Sequence, residues 1–294
     1  MRSYFLKLPL TVIALVIGAV AAVTLFAQAP YAAAQNAAEG TVLKRVLDSG
    51  RIRCGYITYQ PYAIKDPNTN ALSGIMVEAV EAIGKKLGLK IDWVEEVGYA
   101  TMFEGIDTGR YDMVCSGLWQ NATRAKTTYF TMPLFYNAIR VWIRGDETRF
   151  QSLEDLNSPN IRIGVQDQAI EDIIAQQEFP KAQRIAIPQL NPWSDVLLNV
   201  TARKADVTFA ELGVINPFLK KNPDALKELR TSRPLRVFAT SLPIKMGANE
   251  FKSALDAAIL EMLNEGILEA ILKKYEKAPG ELLRVAPLYQ EPRP

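Results

Sequence analysis

Hydrophobic and polar positions along the chain switch repeatedly between a helical and a strand period. Apolar residues at Ile75, Val80, Ile83 and Leu87 recur at helical spacing and stop at Gly88, a residue suited to a left-handed helix cap. Short apolar runs on either side read as strands: Arg51 to Ile57, Leu89 to Val94 and Tyr111 to Ser116. A helix over Leu43 to Asp48 precedes them, and a shorter one over Ala100 to Thr108 ends at Gly109. Strand, helix, strand, helix, strand is the order of a parallel sheet with right-handed crossovers. The rhythm repeats after Ala138, with strands at Arg140 to Ile143, Ile161 to Val165, Arg184 to Ile187 and Ala205 to Phe209. Helices over Ala169 to Gln177 and Ser194 to Thr201 lie between them. Two amphipathic helices split near Gly266 fill Phe251 to Tyr275, ahead of a Pro-rich tail. The pattern predicts an α/β protein of two lobes, and 294 residues suffice to bury a core in each.

The first 34 residues break the rhythm. A basic start (Arg2, Lys7), an apolar run from Leu8 to Ala27 and the small residues Ala32, Ala33 and Ala34 form an export signal cleaved after Ala34. A cut after Ala29 would leave Pro30 directly behind it, which is unfavourable, and the run is long enough for an uncleaved anchor to stand as the alternative. No cysteine lies near the cut, so a soluble periplasmic protein is expected rather than a lipoprotein. Beyond the signal, 32 basic residues balance 32 acidic ones, which argues against a nucleic-acid partner. The chain has no histidine, so Ser-His-Asp and Cys-His chemistry and the commonest zinc ligand are absent, and no metal or cofactor is expected. Cys54 and Cys115 fall in apolar strand-like runs and are expected as two buried thiols, a bridge being the alternative that neighbouring parallel strands rarely accommodate.

Several segments carry a resemblance in their order and spacing. They are Tyr59-Gln60-Pro61-Tyr62, Leu72-Ser73-Gly74-Ile75-Met76-Val77-Glu78-Ala79, Gly109-Arg110-Tyr111-Asp112, and Ser116-Gly117 followed by Ala122-Thr123-Arg124. Phe130-Thr131-Met132-Pro133, Arg162-Ile163-Gly164-Val165-Gln166 and Lys204-Ala205-Asp206-Val207 continue the series. From about Val42 to Glu276 the chain resembles the periplasmic solute-binding proteins of polar amino-acid ABC importers, solute-binding protein family 3, with the type II Venus-flytrap fold. The resemblance implies two α/β lobes, each a mainly parallel sheet flanked by helices, joined by crossings near Leu134 to Ala138 and Leu235 to Thr240. Residues 40–136 and 239–279 would form lobe 1, residues 137–238 lobe 2 and residues 280–294 a C-terminal tail. It further implies a monomer that binds a small amino-acid-like solute and docks on the permease subunits of an importer.

The resemblance also nominates a site. Arg124 stands where the family grips a ligand carboxylate, and a guanidinium offers two parallel donors for that task. Ser116 and Gly117 would supply a backbone acceptor and a close approach that a Cβ would block. Glu211 occupies the position of an aspartate that pairs with the ligand ammonium, with a longer side chain. Tyr59, Tyr99 and Trp119 fall where the family lines the cleft, and Tyr56 shares the strand end with them. Gln166-Asp167-Gln168-Ala169-Ile170 lacks the hydroxyls of the usual carboxylate-binding turn. There the amide of Gln166 and the backbone N–H groups of Ala169 and Ile170 are the remaining donors, with Asp167 as a helix cap. Asp206 reads as a turn or cap residue. The rival to capture is an enzyme of the cyclohexadienyl dehydratase type with Glu211 as its acid, and a ligand-responsive partner of a membrane sensor is a third reading.

Overall fold

The computed structural model describes residues 41–285. The expected export signal, with its cut after Ala34, and residues 286–294 of the tail lie outside the described residues. Helix α1 (Val42–Ser49), with Thr41 accepting from the Lys44 N–H at its start, leads into β1 (Arg51–Tyr56). A small hairpin, β2 (Ile64–Lys65) and β3 (Leu72–Ser73), precedes α2 (Ile75–Leu87) and β4 (Lys90–Glu96). Then come α3 (Met102–Asp107), β5 (Met113–Val114), β6 (Leu118–Trp119), β7 (Thr128–Phe130) and the ten-residue β8 (Phe135–Arg144). The second half runs β9 (Arg162–Gln166), α4 (Ile170–Glu178), β10 (Gln183–Ile187), α5 (Ser194–Thr201), β11 (Val207–Ala210), α6 (Leu212–Lys221) and β12 (Leu226–Glu228). It closes with β13 (Arg236–Ser241), β14 (Pro243–Lys245), α7 (Asn249–Asn264) and α8 (Ile267–Tyr275).

Two sheets carry the architecture. The first has the order β4-β1-β5-β14-β7, and the second runs β10-β9-β11-β8-β13-β6 with β12 paired to β8. Both are mixed. The predicted βαβ units supply three parallel strands to each, whereas β14 and β7 in the first sheet and β8, β12, β13 and β6 in the second pair antiparallel. The predicted strand at Arg140 to Ile143 and the first crossing are one element, since β8 runs unbroken through both. Its first half pairs with β13, Phe135 opposite Thr240 and Ile139 opposite Arg236, and its second half pairs with β11 and β12. The segments expected to cross therefore lie side by side. After Leu242, β13 returns the chain to the first sheet as β14.

Apolar burial explains the layers. Ile75, Val80 and Ile83 of α2 pack with Phe251, Leu255 and Ile259 of α7 and Leu268 of α8 over one face of the first sheet, and Met102, Ile106 and Tyr111 cover part of the other. The second sheet is covered by Ile170, Ile174 and Phe179 on one side and by Val196, Leu197 and Ile215 on the other. Such two-sided coverage is what continuous apolar strands require.

Two sequence expectations are corrected here. Cys54 and Cys115 form a disulfide, with Cα atoms 5.5 Å apart. In the ladder Cys54 stands opposite Met113, and pairing ends at Val114, so Cys115 lies just past the parallel register that was expected to forbid a bridge. Asp206 is no cap. It accepts from the Arg162 N–H at 2.9 Å and pairs with the guanidinium groups of Arg162 and Arg149 at 3.0 and 2.8 Å.

Candidate functional site

Between the two sheets lies a pocket lined by Ile57, Tyr59, Tyr62, Tyr99, Ser116, Gly117, Leu118, Trp119, Arg124, Ile170, Glu171 and Thr240. The lining comes from the loops after β1, β4 and β5, the start of α4 and the end of β13, which agrees with the rule that open α/β sheets bind ligands beyond the carboxyl ends of their strands. Beyond Tyr59 the cleft widens into a groove of about 620 Å³, walled by Pro61, Leu190, Trp193, Leu197 and Phe218 among others.

Arg124 opens a short 3₁₀ turn and is 6% exposed. Its backbone N–H donates to Asn121 Oδ1 at 3.0 Å and its Nη1 to the Trp119 carbonyl at 3.1 Å. Burial pulls the guanidinium below its ordinary pKa, while Tyr99 and Glu171 hold it up. Ser116 Oγ accepts from the Ile57 N–H at 2.5 Å, which ties the ends of β1 and β5 together. Gly117 adopts φ +73°, and a Cβ there would meet Thr240 Cγ2 at 2.8 Å. Aromatic rings form much of the wall. Tyr59 stacks on Tyr62, with ring centres 5.7 Å apart, and meets Trp193 edge-on, while Trp119 stacks on Phe238 and donates to Asn137 Oδ1 at 3.1 Å. Burial pushes the phenols of Tyr59, Tyr62 and Tyr99 up, so all three are neutral at ordinary pH.

The second sheet's side differs from the sequence expectation. Gln166 spends its amide on the carbonyls of Pro188, Gln189 and Asn191, at 3.3, 2.9 and 2.8 Å, pinning that loop instead of facing the pocket. Ala169 fills the N-cap position of α4, with its N–H donating to the Gln166 carbonyl, and lies outside the lining. Ile170 lines the pocket. Asp167 accepts from Gln189 Nε2 at 3.1 Å and does not cap α4, while Asp172 reaches back to accept from the Gln168 N–H. Tyr56 is also outside the lining and packs edge-on against Trp93. The β1 register shifts between Cys54 and Gly55, which disturbs the alternation used to aim it at the cleft.

Of two buried carboxyl groups on this side, Glu171 stands near the arginine and Glu211 meets Tyr59. Glu211, at the N-cap position of α6, has no exposed surface and lies outside the pocket lining. Its Oε2 accepts from the Tyr59 hydroxyl at 3.3 Å, and its Oε1 has no partner among the described residues. Glu171, which sequence reasoning missed, is in the lining. Its Oε1 accepts from the Gln166 N–H at 3.0 Å and from Trp193 Nε1 at 2.8 Å. Burial pushes both carboxyl groups up to about 7, with a smaller upward push from Asp172 on Glu171 and from Glu171 on Glu211. Tyr62, Leu118, Ile57 and Thr240 were likewise not singled out as site residues. The signal for Glu171 was its place in the first turn of a helix whose usual hydroxyls are missing.

A sequence model of the bacterial extracellular solute-binding proteins, family 3, matches residues 52–278. The L-cystine-binding protein TcyA of Bacillus subtilis is 23% identical over 244 residues, which span 82% of this chain and 86% of that protein. Cyclohexadienyl dehydratase of Pseudomonas aeruginosa is 24% identical over 159 residues, 53% of this chain and 59% of the enzyme. Among solved structures, the ancestral amino acid-binding protein AncCDT-1, a precursor of cyclohexadienyl dehydratase, overlays with a TM-score of 0.71 at 22% identity, covering 81% of this chain and 100% of that one. That overlay establishes a common fold.

Proposed function

The chain belongs to the bacterial extracellular solute-binding proteins, family 3, and on that premise we propose that it captures an amino acid or similar small zwitterion and hands it to the permease subunits of an ABC importer. The observation that carries this reading is Arg124, a buried guanidinium in the lining of a pocket that also holds four aromatic rings and a carboxyl group. In such a low-dielectric setting a carboxylate on Arg124 forms a charge-assisted pair stronger than its counterpart in water. The ligand ammonium is countered by the buried carboxyl groups, and the tyrosine rings bracket its remaining atoms.

Capture proceeds by closure of the lobe formed by 40–136 and 239–279 against the lobe of 137–238, about the paired strands β8 and β13. The protein acts as a periplasmic monomer, released from its signal after Ala34, and no chemical step is needed. Calorimetric screening of the purified mature protein against free amino acids, their decarboxylated amines, their deaminated acids and neutral sugars tests the reading. Binding confined to sugars would defeat it.

A second reading is a dehydratase, and one observation favours it: Glu211 is a fully buried carboxyl group, raised to about 7 by that burial, on a chain related to cyclohexadienyl dehydratase. A carboxylic acid that keeps its proton near neutrality is fit for general acid catalysis. Turnover of prephenate or arogenate by the purified protein, abolished in Glu211→Gln, is the outcome that would replace capture with catalysis.

A further inference from the structure

Asn137 lies on β8 with no exposed surface and outside the pocket lining, yet its side-chain amide meets three residues that belong to the lining. Its Oδ1 accepts from Trp119 Nε1 at 3.1 Å and from Thr240 Oγ1 at 2.6 Å, and its Nδ2 donates to the Tyr62 hydroxyl at 2.6 Å. The partners come from β6, β13 and the loop after β1. Packing alone does not call for an amide at this position. Asn137 interrupts a buried run of Leu134, Phe135, Ala138 and Ile139, where an apolar side chain of similar size would fill the same volume without polar groups to satisfy.

Chemistry fixes the direction of these bonds. An indole N–H can only donate, so Trp119 requires the amide oxygen and turns the Nδ2 group toward Tyr62. The Tyr62 oxygen therefore accepts, and its own proton is left for another acceptor. Glu211 is the carboxyl group on which that hydroxyl bears. Trp119 is held in a second way as well. Its ring stacks on Phe238 with centres 5.8 Å apart, and Phe238 stands opposite Asn137 in the ladder between β8 and β13. Stacking sets the plane of the indole, and the amide sets its direction within that plane.

We infer that Asn137 is a positioning residue of the pocket: without touching the solute, its amide orients Trp119, Thr240 and Tyr62 on the wall and directs the Tyr62 proton to Glu211. This rests on the amino-acid reading above and adds a residue that acts through three others. Solute affinity then depends on a side chain that the pocket does not expose.

The test is calorimetric titration of the purified mature protein with the common L-amino acids and L-cystine, one at a time, in wild type, Asn137→Ala, Tyr62→Phe and the double variant. Truncation to alanine leaves space that water can fill, so the three polar groups regain partners, but water imposes no orientation on them. For the amino acid that wild type binds best, Asn137→Ala should lose roughly tenfold in affinity, a size typical of residues that act on a site through their neighbours. The double variant should be weakened by clearly less than the product of the two single losses, because part of the effect of Asn137 runs through the Tyr62 hydroxyl. Urea midpoints measured alongside separate positioning from support. A lowered midpoint with affinity within about twofold of wild type makes Asn137 a structural residue and overturns the inference, as do single losses that multiply in full. Should Asn137→Ala not fold, Asn137→Asp takes its place, since it keeps the acceptor for Trp119 and Thr240 and loses the donor to Tyr62. A loss close to that of Tyr62→Phe is then expected, and wild-type affinity overturns the inference. A wild type that binds none of these amino acids overturns the amino-acid reading and the inference together.

Discussion

The Tyr59 hydroxyl donates to Glu211 Oε2 at 3.3 Å, joining the loop after β1 to the start of α6 across the cleft. The Tyr62 hydroxyl also bears on Glu211, and the desolvation of a fully buried carboxyl group outweighs both contacts. Burial makes Glu211 and Glu171 hold protons more tightly in the fold than in the unfolded chain. A carboxyl group with a raised folded pKa contributes stability that is present below its unfolded value of about 4.5 and is lost as pH rises through about 7. The unliganded protein should lose on the order of 2 kcal/mol per group, about 5 for the two, between pH 5 and pH 7.5, read as a falling urea midpoint, and Glu211→Gln should roughly halve the slope. Glu147, held down to about 2 chiefly by Arg149, acts in the opposite sense only at lower pH and does not mask the effect. A midpoint that rises across this range would show that neither carboxyl group carries its proton in the fold.

Arg124→Ala should cost the bound solute about 2 to 5 kcal/mol, a weakening of roughly thirty- to several-thousand-fold. The guanidinium donates to a single described acceptor, the Trp119 carbonyl, so its remaining donors are free for a ligand carboxylate. Arg124→Lys keeps the charge and loses the planar fork, and an intermediate loss is expected. Equal affinities for wild type and Arg124→Ala in calorimetry would exclude the carboxylate contact.

Much of this arrangement was legible in the sequence. Arg124, Ser116, Gly117, Tyr59, Tyr99 and Trp119 all line one pocket because they sit in loops directly after strands, where period and turn residues locate them well. What eluded sequence reasoning depends on register or long-range partners. Pro217 inside α6 disguised that helix, and the shift after Cys54 turned Tyr56 toward Trp93. Glu171 looked like an ordinary acidic residue in a helix's first turn, a common companion of the helix dipole. Its role in the lining follows from Gln166 and Trp193, which are five and 22 residues away in sequence.

The Cys54–Cys115 disulfide joins β1 to the residue that follows β5, just before the segments that carry Tyr59 and Ser116. It closes a separation of 61 residues, and both cysteines are fully buried. Replacing both by alanine should lower stability by about 2 to 4 kcal/mol, measured by urea unfolding under non-reducing conditions. Solute affinity should fall as well, since Ser116 Oγ no longer meets the Ile57 N–H with the same constraint. Unfolding midpoints that agree between this variant and the wild type would mean that the bridge adds nothing to the packed core around it.

Gly117→Ala tests how closely the pocket floor is built. The residue sits at φ +73°, a conformation that an L side chain occupies at a cost of roughly 1 to 2 kcal/mol. The new methyl group would also stand 2.8 Å from Thr240 Cγ2 and 2.9 Å from Met76 Sδ, both closer than ordinary contact. Met76 belongs to a fully buried stretch of α2 and Thr240 to β13, so neither yields freely. Thr240 also donates to Asn137 Oδ1, the acceptor that Trp119 Nε1 shares, so displacing it disturbs the aromatic wall. The substitution should therefore lower both the melting temperature and the solute affinity, whereas Gly280→Ala, at a positive φ with open space around it, should lower the melting temperature alone. Full affinity in Gly117→Ala, measured alongside a lowered melting temperature, would show that this glycine serves the turn and not the pocket.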